Sequence, residues 1–189
     1  IIGINHDELA SGPGKAGLTF QFKNLLESDY QMNLSNTNAG GWGSSVLQRN
    51  MNSEETGTIW YRLVPPDLQD QIATVKKKYQ PNPSGDVSAI TTSDDKLFLP
   101  SLVELRGVLG SSWDTEFPWT IEEGSQYEYY ALKDVADGNN PCLDKGAIWW
   151  QRSISPNVPG RFLMVSSSGD PFNSTDALNQ HGVCPCFCF

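Results

Sequence analysis

Apolar and polar residues alternate over Leu18-Thr-Phe-Gln-Phe22, directly after Gly12-Pro-Gly14, and that period of two predicts a half-buried strand entered from a turn. The Asn-, Ser- and Gly-rich stretch 29–43 reads as loop. Ser44 or Ser45 can cap a helix carrying Val46, Leu47, Asn50 and Met51, and Pro65-Pro66 opens another in which Leu68 and Ile72 share a face. Strands are predicted at Thr74 to Tyr79 and Val87 to Thr92, on either side of the Pro81-Asn-Pro-Ser-Gly85 turn, with a further short one at Lys96 to Leu99. Ser101-Leu-Val-Glu104 is a capping box that starts a helix running to about Arg106, and Gly107 is its stop. Thr120-Ile-Glu-Glu123 and Ser125-Gln-Tyr-Glu128 repeat the capping pattern, and 133–146 turns to loop composition. Ala147 to Arg152, Arg161 to Val165 and Gly182 to Phe189 form three closing β-prone runs. Short strands mixed with short helices, without a long repeat, predict an α+β fold.

Composition narrows the function classes. With 189 residues, 38% hydrophobic, and six Trp, the chain has apolar material for one domain with a real core. Lys and Arg number 13 against 22 Asp and Glu, a formal charge of −9 that repels phosphate backbones and anionic lipid, so neither nucleic acid nor a membrane surface is an expected partner. No apolar run approaches the ~20 residues of a membrane span, which argues against membrane insertion. The start, Ile1-Ile-Gly-Ile4, has neither an initiator Met nor a signal-peptide layout, and the expectation is a piece of a longer protein. Of the four Cys, three alternate at Cys184, Cys186 and Cys188; in a strand they share a face and cannot easily bridge one another, which favours reduced thiols.

Most candidate chemistry has a plainer account. Cys184-Pro-Cys-Phe-Cys188 lacks the usual zinc-ligand spacing, and Asn5-His-Asp-Glu8 has no accompanying nucleophile motif, so no metal, cofactor or catalytic residue is expected. Lys76-Lys-Lys78 reads as a solvated face. Gln80-Pro-Asn82 is similar to the sugar-and-calcium signature of calcium-dependent lectins, but no Trp-Asn-Asp strand accompanies it, so calcium-independence is expected. Asn33 and Asn173 head glycosylation acceptor triplets, relevant only in a eukaryotic secretory setting. The stretch Gln151 to Cys186 resists a plain account, because β-forming framework residues alternate with positions of unrelated character; isolated Phe172 and Leu178 inside a polar loop are either core plugs or exposed contact groups.

The succession Ile2-Gly-Ile-Asn-His-Asp7, Gly40-Gly-Trp42, the helix at 63–69, Thr91 to Leu99, Glu123-Gly-Ser-Gln-Tyr127, Trp149-Trp-Gln-Arg-Ser153, Val165-x-Ser167-x-Gly169 and the closing Gly182-Val-x-Pro-x-Phe-Cys-Phe189 resembles the bacterial and phage DUF6273 family over essentially the whole chain. The resemblance implies a C-type lectin fold in its formylglycine-generating-enzyme-like form, as one domain over 1–189. It also implies kinship with the variable proteins of diversity-generating retroelements, in which a C-terminal variable region, here about 147–189, is rewritten at adenine positions. Trp149, Trp150, Arg152, Val165, Gly182, Val183 and Phe187 match the scaffold of such a region. The diversified ligand-binding positions would be Ile154, Asn157, Val158, Arg161, Leu163, Phe172, Asn173, Asp176, Leu178, Asn179, His181, Cys184 and Cys186. Each belongs to the set reachable by mutating the adenines of an Asn AAY codon, whereas Gln151, Met164 and Gln180 do not.

The function so implied is a non-catalytic ligand-binding domain whose partner is an unknown protein or cell-surface ligand, carried on a virion or cell surface within a larger protein. Two alternatives accompany it: an oxidase similar to formylglycine-generating enzymes, for which Cys184 and Cys186 are the only candidate pair, and an undiversified structural module of a phage or cell-surface assembly. The loops at 108–119 and 134–146 are longer than in the short family form and are expected to carry extra strands or to cover the binding face. The two chain ends are expected to lie close together in one sheet.

Overall fold

The computed structural model describes residues 1–135, 138–156 and 158–189. Among these described residues, ten short strands and six short α-helices follow in chain order: β1 (Gly3–Ile4), β2 (Leu18–Gln21), β3 (Tyr30–Gln31), α1 (Val46–Asn52), α2 (Ile59–Leu63), α3 (Pro66–Gln69), β4 (Val75–Tyr79), β5 (Thr91–Asp95), α4 (Leu102–Arg106), α5 (Ser112–Glu116), α6 (Glu128–Leu132), β6 (Trp149–Ile154), β7 (Arg161–Val165), β8 (Asn173–Asp176), β9 (Gln180–His181) and β10 (Cys186–Cys188). They form small antiparallel sheets, ordered β1-β2-β10, β3-β9, β4-β5 and β6-β7-β8, and the fold is α+β.

The two ends of the chain share one sheet. β2 lies between them, pairing Thr19 with Gly3 on one side and with Cys188 on the other. β1 and β10 are therefore neighbours across β2 rather than partners. Residues 182–186 are buried throughout, and from Cys186 burial alternates, so Cys184, Cys186 and Cys188, all free thiols, are buried while Phe187 is half-buried, stacked on Phe20 with ring centroids 5.3 Å apart. Phe187 is thus a lid on the sheet's flank, not a core residue.

β6 is the centre of the molecule. All six of its residues are buried, as a strand covered on both faces must be, and a register shift between Trp150 and Ile154 interrupts its pairing with β7. Trp150 donates its indole N–H to the Tyr30 carbonyl at 2.7 Å, and Trp149 donates to that of Leu143 at 2.9 Å, so neither ring nitrogen is orphaned in the core. The Trp150 backbone N–H reaches the Gly182 carbonyl at 3.1 Å. A side chain at Gly182 would crowd the Ile148 carbonyl at 3.1 Å and Leu25 Cδ1 at 2.5 Å, so any larger residue there forces Leu25 to move.

Several boundaries follow the pattern. Ser45 caps α1 through its side chain, Ser101 and Glu104 form both halves of the α4 capping box, and Gly107 ends that helix at φ 75°. Elsewhere tertiary contacts override local signals. Lys96 to Leu99 is not a strand: Phe98 makes a single bridge to Cys186, and Asn52 caps the backbone N–H groups of Lys96 and Leu97. Val87–Ala89 is a 3-10 turn capped by Asp86, and β5 begins only at Thr91. Neither Thr120 nor Ser125 caps a helix; the Thr120 hydroxyl turns back to the Phe117 carbonyl, while Ser125 faces His6. The 108–119 loop carries α5 and a 3-10 turn, not strands.

Trp150 is fully buried and hydrogen-bonded. Trp150→Ala is expected to lower unfolding free energy by about 3–5 kcal/mol, read by chemical denaturation; a loss under about 1 kcal/mol would show that the ring does not hold β6 in the core.

Candidate functional site

Two polar assemblies stand out, one buried and one exposed. The buried one grows from β6. Arg152 has no exposure and places all of its N–H donors: Nε on the Lys78 carbonyl at 2.9 Å, Nη1 on the Leu99 carbonyl at 2.8 Å and on Glu104, and Nη2 on Glu104 at 2.8 Å and on the Glu123 carbonyl at 2.6 Å. Glu104, the N3 residue of the α4 capping box, also accepts from the Ser101 N–H at 3.0 Å and from Lys77 Nζ at 2.7 Å. Lys77 completes its three donors with Asp7 at 2.5 Å and the Tyr127 hydroxyl at 3.1 Å. Asp7 in turn accepts from Thr19 at 2.6 Å.

Two cations thus face two carboxylates with the remaining valences hydrogen-bonded, the condition under which buried charge is tolerated. Burial works against ionising Asp7 and Glu104, but Lys77 beside the first and Arg152 beside the second outweigh it and hold both carboxyls below their ordinary range. The expected solvated face of Lys76-Lys-Lys78 is corrected here: β4 alternates, so Lys76 and Lys78 are exposed while Lys77 points inward. Asp7, within Asn5-His-Asp-Glu8, is the anion of a buried ion pair with Lys77.

Glu123 differs. Burial pushes it up to about 7, because Arg152 gives its guanidinium to Glu104 and to the Glu123 backbone, leaving the Glu123 carboxyl only Ser153 Oγ and the Gln80 N–H. His6 lies at the mouth of this network, with Nε2 3.0 Å from the Ser125 carbonyl and its ring 4.1 Å from that of Tyr127. Burial opposes its protonation, and adjacent Asp7 more than offsets this, raising it.

The exposed assembly lies along β7, β8 and β9. β8 is an edge strand, paired with β7 from Arg161↔Asp176 to Met164↔Asn173. Arg161 Nε donates to Asp176 at 2.6 Å, which lowers the Asp176 carboxyl. Asn179 donates to Thr175 Oγ1 at 2.7 Å, and His181 Nε2 lies 3.2 Å from the same oxygen; burial lowers the His181 pKa. The loop at 33–38 packs beside them, with the Asn33 N–H on the Ala177 carbonyl at 3.0 Å and Asn38 bridging Gly160 and Arg161. Leu34, Val158 and Leu178 are exposed around this seam, at 74%, 37% and 40%.

The thirteen expected contact positions divide accordingly. Val158, Arg161, Asp176, Leu178, Asn179 and His181 come together, exposed or half-exposed. Asn173 and Phe172 lie at the other end of β8, where Phe172 is half-buried against Trp113 at 5.3 Å and under the Arg106 guanidinium at 5.1 Å. Ile154, Leu163, Cys184 and Cys186 are corrected: all four are buried, because Ile154 ends the fully buried β6, Leu163 sits in β7 between its two neighbouring strands, and Cys184 and Cys186 turn into the core just before and at the start of β10, so none can touch a ligand at the surface. Asn157 lies outside the described residues. Leu34 was not anticipated; its only signal was an apolar residue isolated in a polar loop.

The model of a protein family, described as Domain of unknown function (DUF6273), matches residues 17–189. The chain belongs to the DUF6273 family. No curated protein and no solved structure matches this DUF6273 chain. Among its described residues no helix is long and apolar enough to cross a membrane.

The raised Glu123 carboxyl fixes the sign of one pH effect. Between its unfolded pKa near 4.5 and its folded value of about 7, the folded state holds a proton that the unfolded state has lost, so stability falls as pH rises through that window. We expect a drop on the order of 3 kcal/mol from pH 4.5 to 7 beyond that of Glu123→Gln, measured by urea denaturation at a series of pH values. Equal slopes for the two proteins would show that Glu123 titrates normally. Separately, Lys77→Met should cost about 3–5 kcal/mol, since it strands Asp7 beside Glu104; a loss below about 1 kcal/mol would show the pair to be dispensable.

Proposed function

We propose that this domain is a non-catalytic ligand-binding module that presents a variable surface on a C-type lectin-like scaffold, in the manner of retroelement-diversified variable proteins. The observation that carries the reading is the segregation along 147–189. Framework positions Trp149, Trp150, Arg152, Val165 and Val183 are fully buried, whereas Val158, Arg161, Asp176, Leu178 and Asn179 gather on the outside with Leu34. An exposed apolar group beside an Arg–Asp pair is the composition of a contact patch, with aliphatic anchors at its centre and charge at its rim. The short antiparallel sheets and chain ends joined through β2 suit a lectin-like scaffold. The partner is a protein or cell-surface ligand; a chain of net charge −9 offers little to nucleic acid. The oxidase alternative draws little support from Cys184 and Cys186, since burial pushes Cys184 up to about 11 and Cys186 well above its ordinary value, disfavouring thiolates.

The DNA encoding the protein tests diversification: a nearby repeat of the 147–189 coding segment, with adenines at the codons of Val158, Arg161, Asp176, Leu178 and Asn179, is expected beside a reverse-transcriptase gene. At the protein level, Leu34→Ser combined with Leu178→Ser should leave unfolding free energy within about 0.5 kcal/mol per site while abolishing capture of ligands selected from a cell-surface protein panel. A loss of several kcal/mol would make these side chains structural, and unchanged capture would place the contact face elsewhere.

A further inference from the structure

We propose that the cleft between residues 22–30 and α2 is a binding site for a small amphipathic carboxylate, of which a medium-chain fatty acid is the simplest example. None of its lining residues belongs to the contact surface proposed above. The cleft encloses about 540 Å³, within the range of small-molecule sites, and its apolar wall is made by Phe22, Leu25, Leu26, Tyr30, Ile59 and Leu63.

Both sides are anchored by the backbone. The Phe22 and Leu26 N–H groups bond the Pro185 and Val183 carbonyls at 2.9 and 3.0 Å, and α2 is fixed at its start by Thr58 and by Asn50 Oδ1 on the Ile59 N–H at 2.7 Å. The cleft is therefore preformed, and a ligand need not order it.

Charge selects the ligand. Arg62 is held across the cleft by Nε on the Thr58 carbonyl at 3.3 Å and Nη2 on the Tyr30 hydroxyl at 2.5 Å, which leaves Nη1 without a protein acceptor among the described residues. No carboxylate pairs with Arg62 among the described residues, although the chain carries nine more acids than bases. Lys23 also lines the cleft, its carbonyl accepting from Lys145 Nζ at 2.9 Å, and Glu27 is the acid among the lining residues. An unpaired, pre-oriented guanidinium over an apolar wall matches a carboxylate with a hydrocarbon tail, which keeps its charge on Arg62 and buries its chain against Leu25, Leu26 and Leu63.

The test is a titration of the ¹⁵N-labelled protein with octanoate, octanol and octylamine, followed by amide NMR. Octanoate should bind saturably, with shifts confined to 22–30 and 58–63, at least about tenfold more tightly than octanol, and octylamine should not bind. Arg62→Met, an exposed position whose thermal melting should match the parent, should weaken octanoate about tenfold and leave octanol unchanged; Arg62→Lys should retain part of the difference. Equal binding of octanoate and octanol, shifts centred elsewhere, or no saturation by any probe would overturn the proposal.

Discussion

The Arg152–Glu104 pair is the constraint on which the rest of the structure depends. It sits where four elements without sequence continuity converge: β6 supplies the guanidinium, α4 the carboxylate, β4 the second cation, and the segment after β1 the second anion through Lys77 and Asp7. Placing four charges in a core is unfavourable unless every donor and acceptor is matched, and here each is. Any displacement of one element strands a charge in another. Non-local order is thereby imposed on a chain whose strands hold only two to six residues and whose sheets hold at most three strands, too little ladder to fix their own arrangement.

How much of this could be read from the sequence depends on the range of the determining contact. Where the determinant is local, the pattern sufficed: the capping box at Ser101–Glu104, the Gly107 stop, the Ser45 cap and the β-prone run at Arg161–Val165 all appear within a residue or so. Failures occurred where a distant partner decided the outcome. Nothing near Lys77 announces that Asp7, 70 positions away, and Glu104 will surround its ammonium; a basic triplet looks the same whether its middle member points in or out. Glu104 was legible as a cap but not as the hub, because its second role is contributed by Arg152. Ile154, Leu163, Cys184 and Cys186 looked as variable as their neighbours, and only the position of their strands in the sheets shows that they are core.

The same division organises function. A contact surface that tolerates change needs its stability to come from elsewhere. β7 shows both demands in one strand: Arg161 opens to the surface against Asp176, while Phe162, Leu163 and Val165 are closed into the core. The edge strand β8 and the 33–38 loop extend that surface, and among the described residues no hydrogen bond or ion pair joins them to Lys77, Glu104 or Asp7.

The central claim, that stability resides in the buried charged hub and not in the β7–β9 surface, is tested most directly by one saturation-mutagenesis stability scan read by protease resistance of displayed variants. The account predicts that Val158, Arg161, Asp176, Leu178 and Asn179 accept nearly every residue, whereas Lys77, Glu104 and Arg152 accept almost none, apolar replacements of matched size included. The opposite profile, with hub positions freely replaced and surface positions intolerant, would contradict it.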